Sequence, residues 1–106
     1  MDAERKLQIE QEVVKMLRTV YDPEIPVNIY DLGLIYRIDL KEDGVLEIDM
    51  TLTSPSCPAA DFIMMDVVER VESVDGVARS QVELVFDPEW SQEMMSEEAQ
   101  AELGFL

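Results

Sequence analysis

The sequence predicts an α+β fold, a two-layer sandwich in the order α-β-β-α-β-α, with a three-stranded sheet covered by helices on one face. Three features lead there. Apolar residues recur at helical spacing in two long stretches, and they alternate with polar residues in three short ones. The changes of period fall at Asp-Pro, Asp-Gly or Cys-Pro pairs, where a helix or strand is interrupted. At 106 residues and 47% apolar, the chain can bury one core, so it reads as a single domain over 1–106 with a C-terminal tail at 90–106.

Residues 2–20 place Ile9, Val13, Met16, Leu17 and Val20 on one helical face, with Asp2 as N-cap and Asp22-Pro23 as the stop. The stretch YDPEIPVNIYDLG, 21–33, holds two prolines, an Asn and a Gly, and reads as an ordered loop. Leu34–Leu40 then alternates, with Leu34, Tyr36, Ile38 and Leu40 inward and Ile35, Arg37 and Asp39 outward. KEDG at 41–44 supplies a hairpin turn. The return strand Val45–Leu52 buries Leu46, Ile48, Met50 and Leu52.

Pro58 to Val74 regains the helical period, with Ala60, Ile63, Met64, Val67, Val71 and Val74 as its buried stripe and Gly76 in the C′ role. Ser80–Phe86 is the third strand, turning Val82, Leu84 and Phe86 inward, and Asp87-Pro88 breaks it. Ser96 suits the N-cap of a last helix that runs to Leu103.

Eight basic residues stand against 24 acidic ones, a formal charge of −16. After Arg79 there is no Lys or Arg, while Glu83, Asp87, Glu89, Glu93, Glu97, Glu98 and Glu102 all follow. Such a field repels phosphate backbones and anionic lipid, which disfavours nucleic-acid and membrane binding. Solubility is the plain reading of the charge, and a basic protein partner or a cation is the functional one. No apolar run is long enough to span a bilayer, and the charged start MDAERKLQIE lacks a secretory h-region. One cysteine and no secretory signal lead to the expectation of a reducing, cytoplasmic setting.

That cysteine, Cys57, sits in TLTSPSCPAADF, 51–62, between a strand and a helix. Pro58 suits the first helical position, which would put Cys57 at the N-cap. Backbone donors there and the helix dipole would favour its thiolate and lower its pKa modestly. A lone cysteine is often small apolar filler. The surrounding Thr51, Thr53, Ser54 and Ser56 argue against filler, although they also serve as ordinary turn formers.

The chemistry open to a single thiol is narrow. The chain has no histidine to act as its base and no second cysteine for a redox cycle. One sulfur cannot close a zinc site, and it could only share an iron–sulfur cluster with another chain. Conventional catalysis is therefore not expected, which leaves transfer or docking. Asp22, Glu24 and Asp31 cluster in the proline-bounded loop as candidate metal or acid–base carboxylates, but their spacing is diagnostic of neither, and Asp22-Pro23 and Asp31-Leu32-Gly33 more often cap turns. Met64 and Met65 read as packing. Trp90, Met94 and Met95 read as a candidate partner-contact surface near the chain end.

Three stretches together, DPEIPVNIYDLGLIY (22–36), MTLTSPSCP (50–58) and the tail from Trp90 to Gly104, resemble the SufT-like metal–sulfur cluster assembly proteins, whose relatives include PaaD-like proteins and eukaryotic cytosolic iron–sulfur targeting factors. The resemblance covers nearly the whole chain. It implies an iron–sulfur-assembly type of α+β domain and an auxiliary role in maturing clusters or delivering them to recipient apoproteins. It places the reactive cysteine at Cys57, a candidate ligand for iron or a transient Fe–S cluster, with Thr53, Ser56 and Pro58 in support. The proline-rich loop (Asp22, Pro23, Glu24, Asn28, Asp31, Gly33) is then expected beside the Cys57 turn. PaaD-like members carry further cysteines near the C-terminus, and this chain has none there. Expected partners are the Fe–S assembly machinery and recipient apoproteins, with sharing of a cluster across a homodimer as one arrangement. The competing readings are a protein–protein adaptor or oxygenase accessory protein without direct metal binding, and a metal-independent thiol enzyme.

Overall fold

A computed structural model describes residues 1–23, 25–53 and 58–105. Its elements are α1 (Ala3–Leu17), β1 (Ile35–Leu40), β2 (Val45–Met50), α2 (Ala60–Glu72), β3 (Arg79–Leu84), a 3-10 turn at Gln92–Met94 and α3 (Glu97–Glu102). The α-β-β-α-β-α order is the one predicted. Asp2 caps α1 by accepting a hydrogen bond from the Arg5 amide at 2.7 Å.

The sheet runs β1-β2-β3, antiparallel between β1 and β2 and parallel between β2 and β3. The parallel step is made by α2, because two parallel neighbours need a long crossover. Ile9, Val13 and Leu17 of α1 and Ile63, Val67 and Val71 of α2 are almost fully buried, and they join Leu40, Leu46, Ile48 and Met50 of the sheet in one core. Burying each such side chain contributes roughly 1.5–3 kcal/mol.

The opposite face of the sheet is charged. Arg37 donates from Nε to Asp49 Oδ2 at 3.0 Å, and its two terminal nitrogens reach Glu47 at 3.1 Å and Asp39 at 3.2 Å. These hydrogen bonds, with Asp49 the largest influence, hold its guanidinium pKa above the ordinary arginine value. Lys41 reaches Asp39 at 2.6 Å and holds that carboxyl below its usual range. The register makes this network possible, since it pairs Arg37 with Asp49 and Asp39 with Glu47 across β1 and β2.

Several local expectations need correction. The register shifts between Ile35 and Arg37, where β1 carries one extra residue. Strict alternation therefore fails there, and Tyr36 does not join the core. Its phenol donates to the Pro88 carbonyl at 2.8 Å, on the segment that follows β3. β3 ends at Leu84, so Phe86 lies outside it and is 43% exposed rather than turned inward. Helix α2 ends at Glu72 with Ser73 as its C-cap, which leaves Gly76 beyond the C′ position.

The tail folds back on the chain. Trp90 Nε1 donates to the Leu32 carbonyl at 2.7 Å, and the Ser96 amide donates to the Asp31 carbonyl at 2.9 Å. Met95 and Ala99 are core residues, and the Ser96 hydroxyl caps α3 by accepting from the Ala99 amide. Gly33 is the seam of this arrangement. Its φ is +81°, and a Cβ there would come within 2.8 Å of the Met94 carbonyl carbon.

The start of β3 is held by Glu72 of α2, whose carboxylate accepts from both the Ser80 hydroxyl (2.8 Å) and the Ser80 amide (2.9 Å). These bonds favour the charged form and pull the Glu72 pKa below its ordinary value, with the hydroxyl bond the larger cause. A carboxyl depressed on folding stabilises the native state above its unfolded pKa, and that contribution fades as pH falls through its folded pKa. Glu72→Gln is therefore expected to flatten the acid limb of stability below the ordinary glutamate range and to cost stability at neutral pH. Urea midpoints measured across pH 2–7 check this, and an unchanged acid limb would count against it.

Candidate functional site

The expected site is the connection from β2 to α2, which carries Cys57. Of its residues, Ser54, Pro55, Ser56 and Cys57 lie outside the described part of the structure, as does Glu24 of the proline-bounded loop. The flanks are described. Thr51 is fully buried, Leu52 is a core residue, Thr53 is half-buried and Pro58 is exposed. The connection therefore leaves the core at the end of β2 and reaches the surface by Pro58.

On the far side, α2 begins at Ala60, with Ala59 as its N-cap and no side-chain capping bond. This corrects the expectation that Pro58 opens the helix and Cys57 caps it. Pro58 and Ala59 form a turn before the regular period starts, and Ala59 supplies the carbonyl that takes the first helical bond, from Ile63, at 2.9 Å. Cys57 thus precedes the N-cap by two positions, and a helix terminus acts chiefly within its first turn.

The loop reaches the same end of the sheet. The Thr51 amide donates to the Leu34 carbonyl at 2.8 Å, so the last residue of the loop is tied to the exit of β2. Within the loop, Ile29 donates to Val20, and Tyr21 and Asn28 form an isolated bridge. Val27, Ile29, Leu32 and Leu34 are buried and anchor it to the core. Asp22 is buried too, at 5% exposure, and it is partnered.

Asn28 and Asp31 close a turn on each other. Asn28 Oδ1 accepts from the Asp31 amide at 2.8 Å, and Asn28 Nδ2 donates to Asp31 Oδ2 at 2.9 Å. Asp31 Oδ1 also lies 3.9 Å from Arg18 Nε. These contacts assign Asn28 and Asp31 to turn building, which matches the capping alternative read from the sequence. Among the described residues, no group of three or more His, Cys, Asp or Glu could hold a metal ion.

Sequence reasoning treated Thr51 as one hydroxyl among several. In the structure its Oγ1 is buried with no hydrogen-bond partner among the described residues. An unpaired buried hydroxyl costs about 1–3 kcal/mol. Periodicity gave no signal, since Thr51 shares the outward phase of Glu47 and Asp49 in the Val45–Leu52 alternation.

The tail residues pack against the proline-bounded loop, Trp90 on Leu32 and Met94 on Gly33. Met95 is a core residue at 5% exposure, which corrects its expected place in a contact surface, because a buried side chain presents nothing to a partner. Trp90 and Met94 are half-buried, and the indole N–H of Trp90 is used within the chain.

Among the described residues, no helix is long and apolar enough to cross a membrane. Comparison with known proteins places this geometry among relatives. Residues 10–84 match the family model described as iron–sulfur cluster assembly protein. A Porphyromonas gingivalis protein named Fe-S protein maturation auxiliary factor is 63% identical over 94% of this chain and 95% of its own. The Bacillus subtilis protein named Fe-S protein maturation auxiliary factor YitW is 38% identical over 91% of this chain and 94% of its own. The crystal structure of a domain of unknown function from Bacillus anthracis superposes with a TM-score of 0.90 at 36% identity, covering 99% of this chain and all of that one.

Proposed function

The chain belongs to the iron–sulfur cluster assembly protein family, and from that premise we propose that it is an auxiliary factor in the maturation of iron–sulfur proteins, passing iron or a cluster to recipient apoproteins through Cys57. The cluster is cargo. One observation carries the chemistry: the chain offers a single thiol and no histidine. A cluster is held chiefly by cysteine thiolates, commonly four of them, so one Cys57 thiolate satisfies a minority of the positions. The others belong to a donor, a second chain or the recipient. Incomplete ligation suits hand-over, because cysteines of a recipient can replace exchangeable ligands without dismantling a closed site. The same scarcity of groups makes this a carrier rather than an enzyme, since a nucleophilic thiol needs a base beside it.

Support comes from the names of the relatives and from the position of the connection, which leaves the core at Leu52 and surfaces by Pro58. Its partners on this reading are the assembly machinery and the recipient proteins, and its setting is the cytoplasm. Anaerobic reconstitution with ferrous iron and sulfide tests direct metal binding. A visible charge-transfer band is expected in the wild type and not in Cys57→Ala. An equal band in both would remove Cys57 from the chemistry, and a band in neither would favour the adaptor reading.

A further inference from the structure

Among the described residues the β3 strand is an edge of the sheet, with β2 on one side and no strand on the other. The Val85 amide points toward β2 and donates to the Met50 carbonyl at 2.8 Å. By the alternation of a strand, the amides and carbonyls of Ser80, Val82 and Leu84 then point away from β2. Ser80 confirms the direction, because its amide meets the Glu72 carboxylate instead of another strand. Glu72 thus closes the start of the edge and leaves the backbone of Val82 and Leu84 open. The Val82 and Leu84 side chains are only half-buried, so apolar surface remains to be covered on the core side of this edge.

We propose that the free edge of β3 accepts, as a fourth strand, an extended segment of a partner protein that carries lysine or arginine at alternate positions. Charge selects this occupant. On the open face Gln81 lies beside Glu47 and Glu83 beside Asp49. Arg37 already serves both β2 carboxylates, while Glu83 has no ion pair among the described residues. Arg79 is on the same face but at the start of the strand, beside the Ser80 amide that Glu72 closes, and from Ser80 to Leu84 the strand carries no basic residue. A strand laid here would set alternate side chains against this acidic face and the intervening ones against Val82 and Leu84. A second copy of the chain fits less well. Antiparallel self-pairing through Val82 and Leu84 centres on Glu83, putting it opposite its own copy, and it joins two chains of charge −16. The inference stands on the edge and not on cluster chemistry, so it survives or fails independently of Cys57.

The test uses a blocked heptapeptide, Lys-Val-Lys-Val-Lys-Val-Lys, and its fully backbone-N-methylated counterpart, which keeps the charge but has no amide donors. By titration calorimetry at about 0.15 M salt, the parent peptide is expected to bind about tenfold or more tighter than the methylated one. Val82→Pro removes a donor on the solvent side of an edge strand, a place where proline is tolerated, and is expected to abolish that preference while circular dichroism stays unchanged. Should this variant not fold, Glu83→Lys decides: it is expected to reverse the charge preference toward the corresponding Glu-Val peptide. Equal binding of the parent and methylated peptides would reduce the effect to charge attraction and overturn the proposal. Absent binding, or a folded Val82→Pro that binds as the wild type does, would also overturn it. A wild-type dimer in sedimentation that Val82→Pro dissociates would replace the partner segment with a second copy.

Discussion

Cys57→Ala is expected to abolish support of cluster-dependent enzymes while leaving the protein folded. The reasoning is one of scarcity. There is no other cysteine and no histidine, so no neighbouring group can take over the bond to iron. Carboxylates are plentiful, but they are hard ligands that favour other metals, and those described gather in no group suited to one. The carrier reading gives the thiol no part in the core, and a substitution of that kind changes stability by about 0.5 kcal/mol or less. For a domain of this size that is a few degrees in Tm, on the order of 2–4 °C. The measurement is the activity of an iron–sulfur enzyme in cells that depend on this chain, set beside the thermal midpoint of the purified variant. Full activity with Cys57→Ala would sink the carrier reading. Lost activity with a collapsed midpoint would show the thiol to be structural filler.

Gly33→Ala is expected to be the most destabilising single-methyl change in the chain. Two costs add. At a φ of +81°, an L-residue meets its own backbone, which costs roughly 1–2 kcal/mol. The added Cβ also lands on the Met94 carbonyl group, and overpacking of that kind typically costs about 1–3 kcal/mol. Backbone cannot step aside as a flexible side chain can. Relief would require the tail to lift, which strains the Trp90–Leu32 and Ser96–Asp31 bonds and draws Met95 and Ala99 from the core. Against a total stability of about 5–15 kcal/mol, a loss of this size is severe.

Gly104→Ala is the built-in control, since its φ is +83° but nothing lies within 4 Å of its would-be Cβ. It bears the backbone cost alone. The difference between the two variants in urea unfolding, followed by the fluorescence of Trp90, isolates the contact between tail and loop. Equal losses would mean that the tail does not press on Gly33.

These two residues show what kinds of information the chain carries openly. What the sequence says of Cys57 is chemical: one sulfur, no histidine and a hydroxyl-rich turn can be counted without coordinates. Asp31 was legible as a turn former for a local reason, while its partner Asn28 was legible only as a loop residue. Gly33 was legible as a loop and turn marker, but nothing in YDLGL says that a carbonyl from residue 94 will lie against it. Met95 misled for a related reason. A methionine pair near a chain end carries no local mark of whether it faces solvent or core, and here one member went inside.

The sequence by itself determined the element order, the helical faces of α1 and α2, the hairpin of β1 and β2, the lack of a histidine to serve Cys57 and the acidic character of the last quarter. Each follows from neighbours within a few positions, where periodicity, turn chemistry and composition act directly. The tertiary structure decided the bulge that sends Tyr36 to Pro88, the start of α2 at Ala60, the burial of Met95 and the exposed amides of β3. Those depend on which distant segments meet. The free energy that settles such meetings comes from packing and desolvation between residues far apart in the chain, and no local pattern encodes it.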